Sequence, residues 1–234
     1  MIIPRGLVLQ TQESAPPGLL AAWADGRRIP LEVVRIDRAP RLPDPASFTF
    51  AVALGSDASL AGHRPGWVGA EVDWLRDAER AGVPVLGICF GAQALAVAHG
   101  GHVTRLARPE VGWLHLDTAD DLTIPPGPWL AWHEDAITLP PFGYDLARNA
   151  AGLQAFSVGR HLAVQFHPEV TPAIASEWAD SDGTLLAGAG VSRERLLTET
   201  RENATAAAVA AHRLFDRFAA RAGIFFDRAT LARA

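Results

Sequence analysis

The chain has 234 residues, 49% of them apolar and 20% charged, with a net charge of −5 at pH 7. This composition predicts a folded core, and it argues against a broad nucleic-acid or membrane-surface footprint. The lone cysteine, Cys89, excludes an internal disulfide, and the first ten residues lack a signal peptide's basic region, so we expect a cytoplasmic protein.

Strand-like and helix-like segments alternate over the first hundred residues. The predicted strands are 5–10, 31–36, 48–54 and 83–88, and the predicted helices are 17–28, 67–82 and 90–101. This alternation indicates an α/β protein with a mostly parallel central sheet flanked by helices.

The rest of the chain changes character. Short predicted strands at 102–107, 112–117, 153–158 and 161–166 follow one another with few helical stretches between them. They suggest an antiparallel extension joined to the parallel core. The alanine-rich segment 192–223 is predicted to be helical, as one helix or two, and to cover the sheet. With no convincing domain boundary, we expect residues 1–234 to form a single domain.

Cys89 lies between a predicted strand and a predicted helix, with Gly87 two residues before it and Gly91 two residues after. A nucleophile at such a sharp elbow needs small residues at both positions. The helix that follows would direct its N–H groups and positive dipole end at the sulfur, which favours the thiolate. The N–H of Phe90 would be placed to donate to an oxyanion. The pattern therefore predicts a nucleophile rather than a core cysteine.

A thiolate nucleophile also needs a base that can protonate the leaving group, and histidine suits this task. Only His167 has a suitable context, because it follows the predicted strand 161–166 and precedes Pro168 and Glu169. The Glu169 carboxylate could accept a hydrogen bond from the imidazole and set its tautomer. The other histidines are His63, His99, His102, His115, His133, His161 and His212.

The segments GICFGAQ and QFHPEV, with the cysteine about 80 residues before the histidine, resemble those of class I glutamine amidotransferases. That family uses a Cys-His-Glu triad, and the resemblance is closest to free-standing members similar to the glutaminase domain of GMP synthase. It covers nearly the whole chain, with further support at 54–59, 108–113, 132–140 and 153–170. It implies the flavodoxin-like fold of these enzymes with an antiparallel strand extension.

The resemblance also implies roles for single residues. Cys89 would attack the side-chain amide of glutamine, His167 would transfer protons, and Glu169 would orient His167. The backbone N–H groups of Gly55 and Phe90 would form the oxyanion hole. Gln93 matches a position that holds the substrate glutamine, although a surface glutamine would give the same pattern.

Some positions depart from the family pattern. The loop reads Gly55-Ser56-Asp57, where relatives often carry Gly-Gly-Pro or Gly-Ser-Pro, and Leu153-Gln154 stands where relatives carry Asn-Gln. His133 lies in a family loop near the amino-acid end of the substrate and is either structural or functional. The residues that either line the pocket rim or pack in the core are Glu110, Trp113 and Trp132.

We expect no cofactor and no metal. The sequence has no phosphate-binding or dinucleotide-binding fingerprint, and His99 and His102 have no cysteine or carboxylate at ligand spacing. The expected ligand is glutamine or a small γ-glutamyl compound, with no nucleic acid and no membrane. Because no second domain is recognised, transfer of ammonia to an acceptor would require a synthetase in trans.

Three alternatives stay open. A γ-glutamyl hydrolase or peptidase would use the same triad, and room beyond the scissile nitrogen would favour it. A non-catalytic interaction protein would be expected to have lost Cys89 or His167. A cysteine hydrolase or stress protein of the related elbow-cysteine fold would not generally carry His-Pro-Glu at this position.

Overall fold

A computed structural model describes residues 4–39, 41–62, 65–118 and 122–224. The strands are β1 (Gly6–Gln10), β2 (Leu31–Arg35), β3 (Phe50–Ala53), β4 (Val85–Ile88), β5 (His102–Leu114), β6 (Asp117–Thr118), β7 (Trp129–Thr138), β8 (Tyr144–Asn149), β9 (Gly152–Val158) and β10 (His161–Val164). The helices are α1 (Gly18–Gly26), α2 (Gly66–Arg80), α3 (Phe90–Ala98), α4 (Pro172–Ser181), α5 (Gly183–Ala189) and α6 (Arg193–Arg221).

The main sheet has eight strands in the order β2-β1-β3-β4-β10-β9-β8-β6. The first five strands in this order, β2, β1, β3, β4 and β10, are parallel. The last three, β9, β8 and β6, continue the sheet in antiparallel pairing. The predicted α/β fold with an antiparallel extension is therefore confirmed. Because β1, β3, β4 and β10 run the same way, the loops after them meet at one edge, where α/β proteins place their sites.

Alternation along the central strands separates two apolar layers. On β1, Val8 faces the layer that contains Trp23 of α1 and Phe215 of α6, whereas Leu7 and Leu9 face the layer of α2 and α3. Successive strand residues point to opposite faces, so a fully apolar strand can serve both layers. The parallel strands are thereby held rigidly between two helical layers.

One part of the predicted extension is wrong. Residues 102–114 form the single strand β5, which pairs with β7 in a separate two-stranded antiparallel sheet. The ladder is irregular between Arg105 and Glu110. Apolar alternation identifies a strand but not its partner, and β7 was not among the predicted strands.

The region after β10 contains two helices that the sequence did not predict. The segment 192–223 forms one helix, α6, with Ser192 as its N-cap, and α4 and α5 precede it without having been predicted. Helix α4 begins where the Thr171 hydroxyl accepts a hydrogen bond from the Ile174 N–H, with Pro172 in its first turn. In the described part of the chain, no helix combines the length and apolarity needed to cross a membrane.

Candidate active site

The elbow at Cys89 has the geometry that its flanking glycines predict. Cys89 joins β4 directly to α3 and has φ +50° and ψ −108°, a conformation that non-glycine residues rarely adopt. Its N–H donates to the carbonyl of Val164 at 2.8 Å, which ties the elbow to the end of β10. The strained residue is thus held at the carboxyl edge of the parallel sheet.

Gly87 and Gly91 are steric requirements of this turn. A Cβ on Gly87 would lie 2.7 Å from the Gly91 carbonyl oxygen, and one on Gly91 would lie 2.1 Å from the Ala53 carbonyl oxygen. Neither contact can be relieved by rotating a side chain, because both partners are backbone atoms. The first turn of α3 can therefore pack against β3 and β4 only with glycine at these positions.

His167 and Glu169 form a buried pair just beyond β10. The imidazole Nδ1 and the Glu169 Oε1 are 2.7 Å apart, and both residues are buried. The His167 N–H donates to the Leu130 carbonyl at 2.9 Å, and the Leu19 N–H donates to the Glu169 carbonyl at 2.8 Å. With the Nδ1 proton directed at Glu169, the Nε2 of a neutral ring is free to accept a proton.

Cys89 lies on the proton-accepting side of His167. Burial lowers the pKa of His167, but the negative charges of Glu169 and Cys89, and its hydrogen bonds to both, raise this pKa well above its ordinary value of 6.5. The site therefore favours the protonated form of His167. The structure brings together the three residues that the sequence predicted as a triad.

Two features of the site were missed from the sequence. The Trp132 carbonyl oxygen lies 3.7 Å from the Cys89 sulfur and 3.4 Å from the His167 Nε2. The ring of Trp178 packs edge-on against the imidazole at 4.7 Å, and its Nε1–H donates to the Ser14 carbonyl at 2.6 Å. The sequence did contain a signal for the second feature. Thr171 followed by Pro172 is a typical helix start, and the helix that begins there includes Trp178.

Gly55 lies directly beside the pair. A Cβ at this position would be 3.1 Å from the His167 Cε1 and 3.7 Å from the Cys89 Cβ. The Thr11 hydroxyl donates to the Gly55 carbonyl, and the Gln12 Oε1 accepts from the Asp57 N–H at 2.9 Å. The residues after β1 thus hold the atypical Gly-Ser-Asp loop in place.

Two cavities meet at Cys89. The larger, about 270 Å³, contains His167 in its wall, and the smaller, about 90 Å³, contains Gln93. Shared lining residues are Ser56, Asp57, Cys89, Trp132 and Asp182; the larger adds Gln12, Ser14, Ala15, Gly55, His167, Trp178 and Ser181, and the smaller adds Ala58, Gln93, His133, Glu134, Asp135 and Leu185.

Gln93 is not a surface residue. It is only 3% exposed, and its amide nitrogen lies 3.4 Å from the Gln165 side-chain oxygen. It stands one helical turn after Cys89, and its backbone N–H donates to the Cys89 carbonyl at 3.0 Å. The surface interpretation is therefore wrong, and Gln93 faces the site.

His133 and Glu110 have a structural contact. The His133 Nε2 lies 2.8 Å from the Glu110 carboxylate, which also accepts from Asn149 at 2.6 Å and Gln154 at 3.0 Å. These bonds link β5, β7, β8 and β9. Trp113 likewise packs away from the cysteine, with its Nε1–H donating to Thr200 at 2.9 Å, so only Trp132 of the rim candidates lines the cavities.

A second histidine cluster lies at the opposite edge of the sheet. Glu79, His99 and His161 offer ligand-type atoms within 4.8 Å of one another, without His102. The His161 Nδ1 accepts from the Val85 N–H at 3.0 Å, so the ring proton resides on Nε2 and is donated to Glu79. That nitrogen therefore already has a hydrogen-bond partner in Glu79.

Comparison with known proteins gives a family match and related sequences. The family model "Glutamine amidotransferase class-I" matches residues 62–177. GMP synthase [glutamine-hydrolyzing] of Mycobacterium tuberculosis is 43% identical over 98 residues, 38% of this chain and 18% of that protein. The same enzyme from Thermus thermophilus is 36% identical over 146 residues, 53% of this chain and 27% of that protein. The matched region is thus about a quarter or less of these relatives.

Solved structures share the fold over nearly the whole chain. A glutamine amidotransferase from Methylobacillus flagellatus has a TM-score of 0.85 at 24% identity, covering 97% of this chain and 98% of that one. One from Thermotoga maritima has a TM-score of 0.84 at 20% identity, covering 93% and 99%. The chain thus has the fold of these solved structures, and its residues 62–177, which include Cys89 and His167, match the class I glutamine amidotransferase family of enzymes.

Proposed function

We propose that the protein hydrolyses the side-chain amide of glutamine through a γ-glutamyl thioester on Cys89 and supplies the ammonia to an acceptor. The observation that carries this proposal is that the Trp132 carbonyl oxygen lies 3.7 Å from the Cys89 sulfur and 3.4 Å from the His167 Nε2, while the other ring nitrogen of His167 is 2.7 Å from Glu169. This is the arrangement of an activated nucleophile, its base and the group that orients the base.

In the first half-reaction the Cys89 thiolate attacks the amide carbon of glutamine, and a carbon–sulfur bond forms. The oxyanion that develops is stabilised by the backbone N–H groups of Phe90 and Gly55. Each such donor is typically worth about 3 kcal/mol. The carbon–nitrogen bond then breaks, and His167 gives its Nε2 proton to the nitrogen, which leaves as ammonia.

In the second half-reaction water cleaves the thioester. His167 is now neutral and accepts a proton from the water as its oxygen attacks the carbonyl carbon. The carbon–sulfur bond breaks and glutamate is released, with Cys89 again a thiolate beside a protonated His167. Glu169 stabilises the positive charge on His167 during both halves and keeps its Nε2 directed at the reacting atoms.

The acceptor chemistry is proposed to reside in a synthetase that acts in trans. The relatives named as glutamine-hydrolysing GMP synthases support this proposal, because their names join glutamine hydrolysis to a synthesis reaction. His167 lines the larger cavity, so ammonia released at its Nε2 would leave through that cavity towards such a partner.

The test measures glutamate released from glutamine by the purified chain and by a Cys89→Ala variant. We expect turnover by the wild type and a loss of at least about a thousandfold in the variant, because nucleophile and base act as a unit. Adding hydroxylamine should divert the thioester to γ-glutamyl hydroxamate. Since Cys89 is the single cysteine, a glutamine-mimicking electrophile should add one label per chain by mass. Equal turnover by the two proteins would exclude Cys89 as the nucleophile.

One observation favours a second candidate function, the hydrolysis of small γ-glutamyl amides. The larger cavity, about 270 Å³, has His167 in its wall. Because His167 protonates the departing nitrogen, the leaving group lies on that side of Cys89, where there is room for more than ammonia. Turnover of γ-glutamyl peptides without turnover of glutamine would transfer the assignment to this candidate.

A further inference from the structure

We propose that Gln12 is a positioning residue for the oxyanion hole. Its side-chain oxygen holds the oxyanion loop, residues 55–57, in the way that a proline ring within the loop would. This inference rests on the proposed thioester chemistry at Cys89 and deepens it, because it assigns a role to a residue outside the triad. Gln12 takes no part in bond making and acts through the loop.

The oxyanion loop lacks a residue that would stiffen it. It reads Gly55-Ser56-Asp57, and relatives often carry proline at the position of Asp57. A proline ring fixes φ at about −65° and removes the backbone N–H. Asp57 has no such ring, so its φ is not fixed covalently and its N–H needs an acceptor. The Asp57 residue is exposed, so packing does not hold it, and a hydrogen bond has to do so.

Gln12 supplies this hydrogen bond from the segment after β1. Its Oε1 accepts from the Asp57 N–H at 2.9 Å and from the Ser56 hydroxyl at 3.3 Å. A backbone N–H can only donate, so the oxygen of the amide must face the loop. The amide nitrogen of Gln12 lies 2.8 Å from the Ser14 Oγ, and the Gln12 carbonyl accepts from the Gln10 side chain at 2.7 Å. The side chain that holds the loop is therefore itself anchored.

The oxyanion loop has to keep its place because it lies against the reacting pair. A Cβ on Gly55 would be 3.1 Å from the His167 Cε1 and 3.7 Å from the Cys89 Cβ. The Gly55 carbonyl accepts from the Thr11 hydroxyl, and Gln12 holds the next two residues. Glycine has more backbone freedom than other residues. Without the contacts of Gln12, rotation at and after Gly55 would move the oxyanion donor relative to Cys89.

Gln12 and a proline at position 57 are alternative ways of holding the loop. The Gln12 Oε1 lies 2.9 Å from the Asp57 nitrogen, and the ring carbon that proline bonds to this nitrogen would point at the same oxygen. Gln12 would have to move aside, and it would find no N–H to bind at position 57. With proline at this position, Gln12 should therefore no longer affect catalysis.

The first test is Gln12→Met, which keeps the length of the side chain and removes its oxygen. Loss of one oxyanion donor typically lowers kcat by about 10²- to 10³-fold. We expect a loss of about tenfold for glutamine, because the donor is displaced rather than removed. KM should change less than kcat, since the oxyanion forms only after attack. The matched control is Glu13→Ala, which removes an exposed side chain that lines neither cavity and should leave kcat unchanged.

The second test measures the effect of Gln12→Ala in three backgrounds: the wild type, Asp57→Asn and Asp57→Pro. Asparagine keeps the backbone N–H and removes the charge, so Gln12→Ala should lower kcat about tenfold there, as in the wild type. In the Asp57→Pro protein the same change should not lower kcat, because the ring holds the loop. The measurement is glutamate release at saturating glutamine.

The third test separates positioning of the loop from a general disturbance of the site. Iodoacetamide alkylates a thiolate by forming a carbon–sulfur bond at its CH₂ group while iodide leaves, and no oxyanion develops. The rate of alkylation in Gln12→Met should therefore stay within about twofold of the wild-type rate. Mass spectrometry measures this rate, and because Cys89 is the single cysteine, each label reports on the site.

The outcomes separate this inference from the proposed function. With a wild type that hydrolyses glutamine, three results would each overturn the inference alone: an unchanged kcat in Gln12→Met, equal losses from Gln12→Ala in Asp57→Asn and Asp57→Pro, or an alkylation rate that falls in step with kcat. No turnover of glutamine or γ-glutamyl peptides by the wild type, together with no labelling of Cys89 by a glutamine-mimicking electrophile, would overturn both.

Discussion

Strand β10 has a histidine–glutamate pair near each of its ends, and the two pairs behave in opposite ways. At its first residue, His161 donates its Nε2–H to Glu79 while its Nδ1 accepts from the Val85 N–H at 3.0 Å. Beyond its last residue, His167 directs Nδ1 at Glu169, and Nε2 faces Cys89. Both ring nitrogens of His161 therefore have short hydrogen bonds within the fold, whereas the Nε2 of His167 has only a longer contact of 3.4 Å with the Trp132 carbonyl oxygen, next to the Cys89 sulfur.

The electrostatics of the two pairs follow from their neighbours. Burial lowers the pKa of His161 to about 4, since Glu79 opposes the effect only in part and His99 adds to it; the Glu79 side chain is 47% exposed, so solvent weakens its charge. Burial also lowers the pKa of His167, but two anions, Glu169 and Cys89, reverse the shift. A histidine beside a glutamate is therefore not enough to raise the histidine pKa: at His167 the rise comes first from Glu169, whose side chain is only 3% exposed, and then from Cys89.

The largest expected effect is the loss of activity in His167→Ala. Removing the proton carrier should lower kcat/KM for glutamine by about 10²- to 10⁴-fold. The matched variant is His161→Gln, whose amide oxygen can still accept from the Val85 N–H, and its activity should stay within about twofold. The measurement is glutamate release under saturating and limiting glutamine. Equal losses of activity in His167→Ala and His161→Gln would contradict the assignment of a catalytic role to His167 alone.

Glu71 is a buried carboxyl group that has no imidazole partner, unlike Glu79 and Glu169. It is fully buried in α2, neither carboxylate oxygen has a hydrogen-bond partner in the described structure, and burial raises its pKa to about 8 from an ordinary 4.5. The unfolded chain ionises Glu71 above pH 4.5 and the folded chain does not, so stability falls as the pH rises from 4.5 to 8. Glu71→Gln should therefore stabilise the fold by about 3 kcal/mol at pH 7 and by almost nothing at pH 4.

Urea unfolding of both proteins at the two pH values measures this difference. A Glu71→Gln variant whose advantage over the wild type did not depend on pH would show that Glu71 is ionised in the folded protein.

His161 should make the fold sensitive to acid with the opposite sign. Its folded pKa of about 4 lies below the ordinary 6.5, so the unfolded chain takes up the proton first, and stability is lost as the pH falls from 6.5 towards 4. The loss should reach about 2 kcal/mol at pH 5 and about 3 kcal/mol at pH 4. In His161→Gln this part of the pH dependence should be absent, as measured by urea unfolding at pH 7, 5 and 4. An unchanged slope would mean that another group titrates.

The sequence predicted the site better than its surroundings, for physical reasons. Cys89, His167 and Glu169 each follow a strand of the same parallel sheet, and Gly87 and Gly91 mark a turn that tolerates no Cβ. Those constraints are local, so a short pattern contains them. The pairing of β5 with β7 and the contact of Trp178 with His167 depend on residues far apart in the chain. No local pattern encodes such contacts, and the His161 hydrogen bonds are equally invisible in the sequence.

Glu169→Gln should have a smaller effect than His167→Ala, because Glu169 orients the base and transfers no proton. We expect kcat/KM to fall by about tenfold to a hundredfold. Since the charge of Glu169 helps to raise the pKa of His167, the alkaline limb of the pH–rate profile should also move to lower pH. Glu79→Gln is the matched control and should alter neither quantity. A lower rate with no shift in the alkaline limb of the pH–rate profile would mean that Glu169 acts only by positioning the His167 ring and not through its charge.

The smallest expected effect is the response of the second cluster to zinc. Glu79, His99 and His161 lie close enough to surround an ion, but coordination by the His161 Nε2 would require its proton to move to Nδ1, where it would face the Val85 N–H. Zinc should therefore leave the Tm of a Cys89→Ala protein unchanged. This variant is used because Cys89 and His167 could themselves bind zinc in the wild type. Binding at 100 times Kd would stabilise the fold by about 2.7 kcal/mol. A rise in Tm that is abolished by His161→Gln would show that metal binding can displace the hydrogen bond between the Val85 N–H and the His161 Nδ1. The fixed tautomer of His161 would then no longer distinguish it from His167.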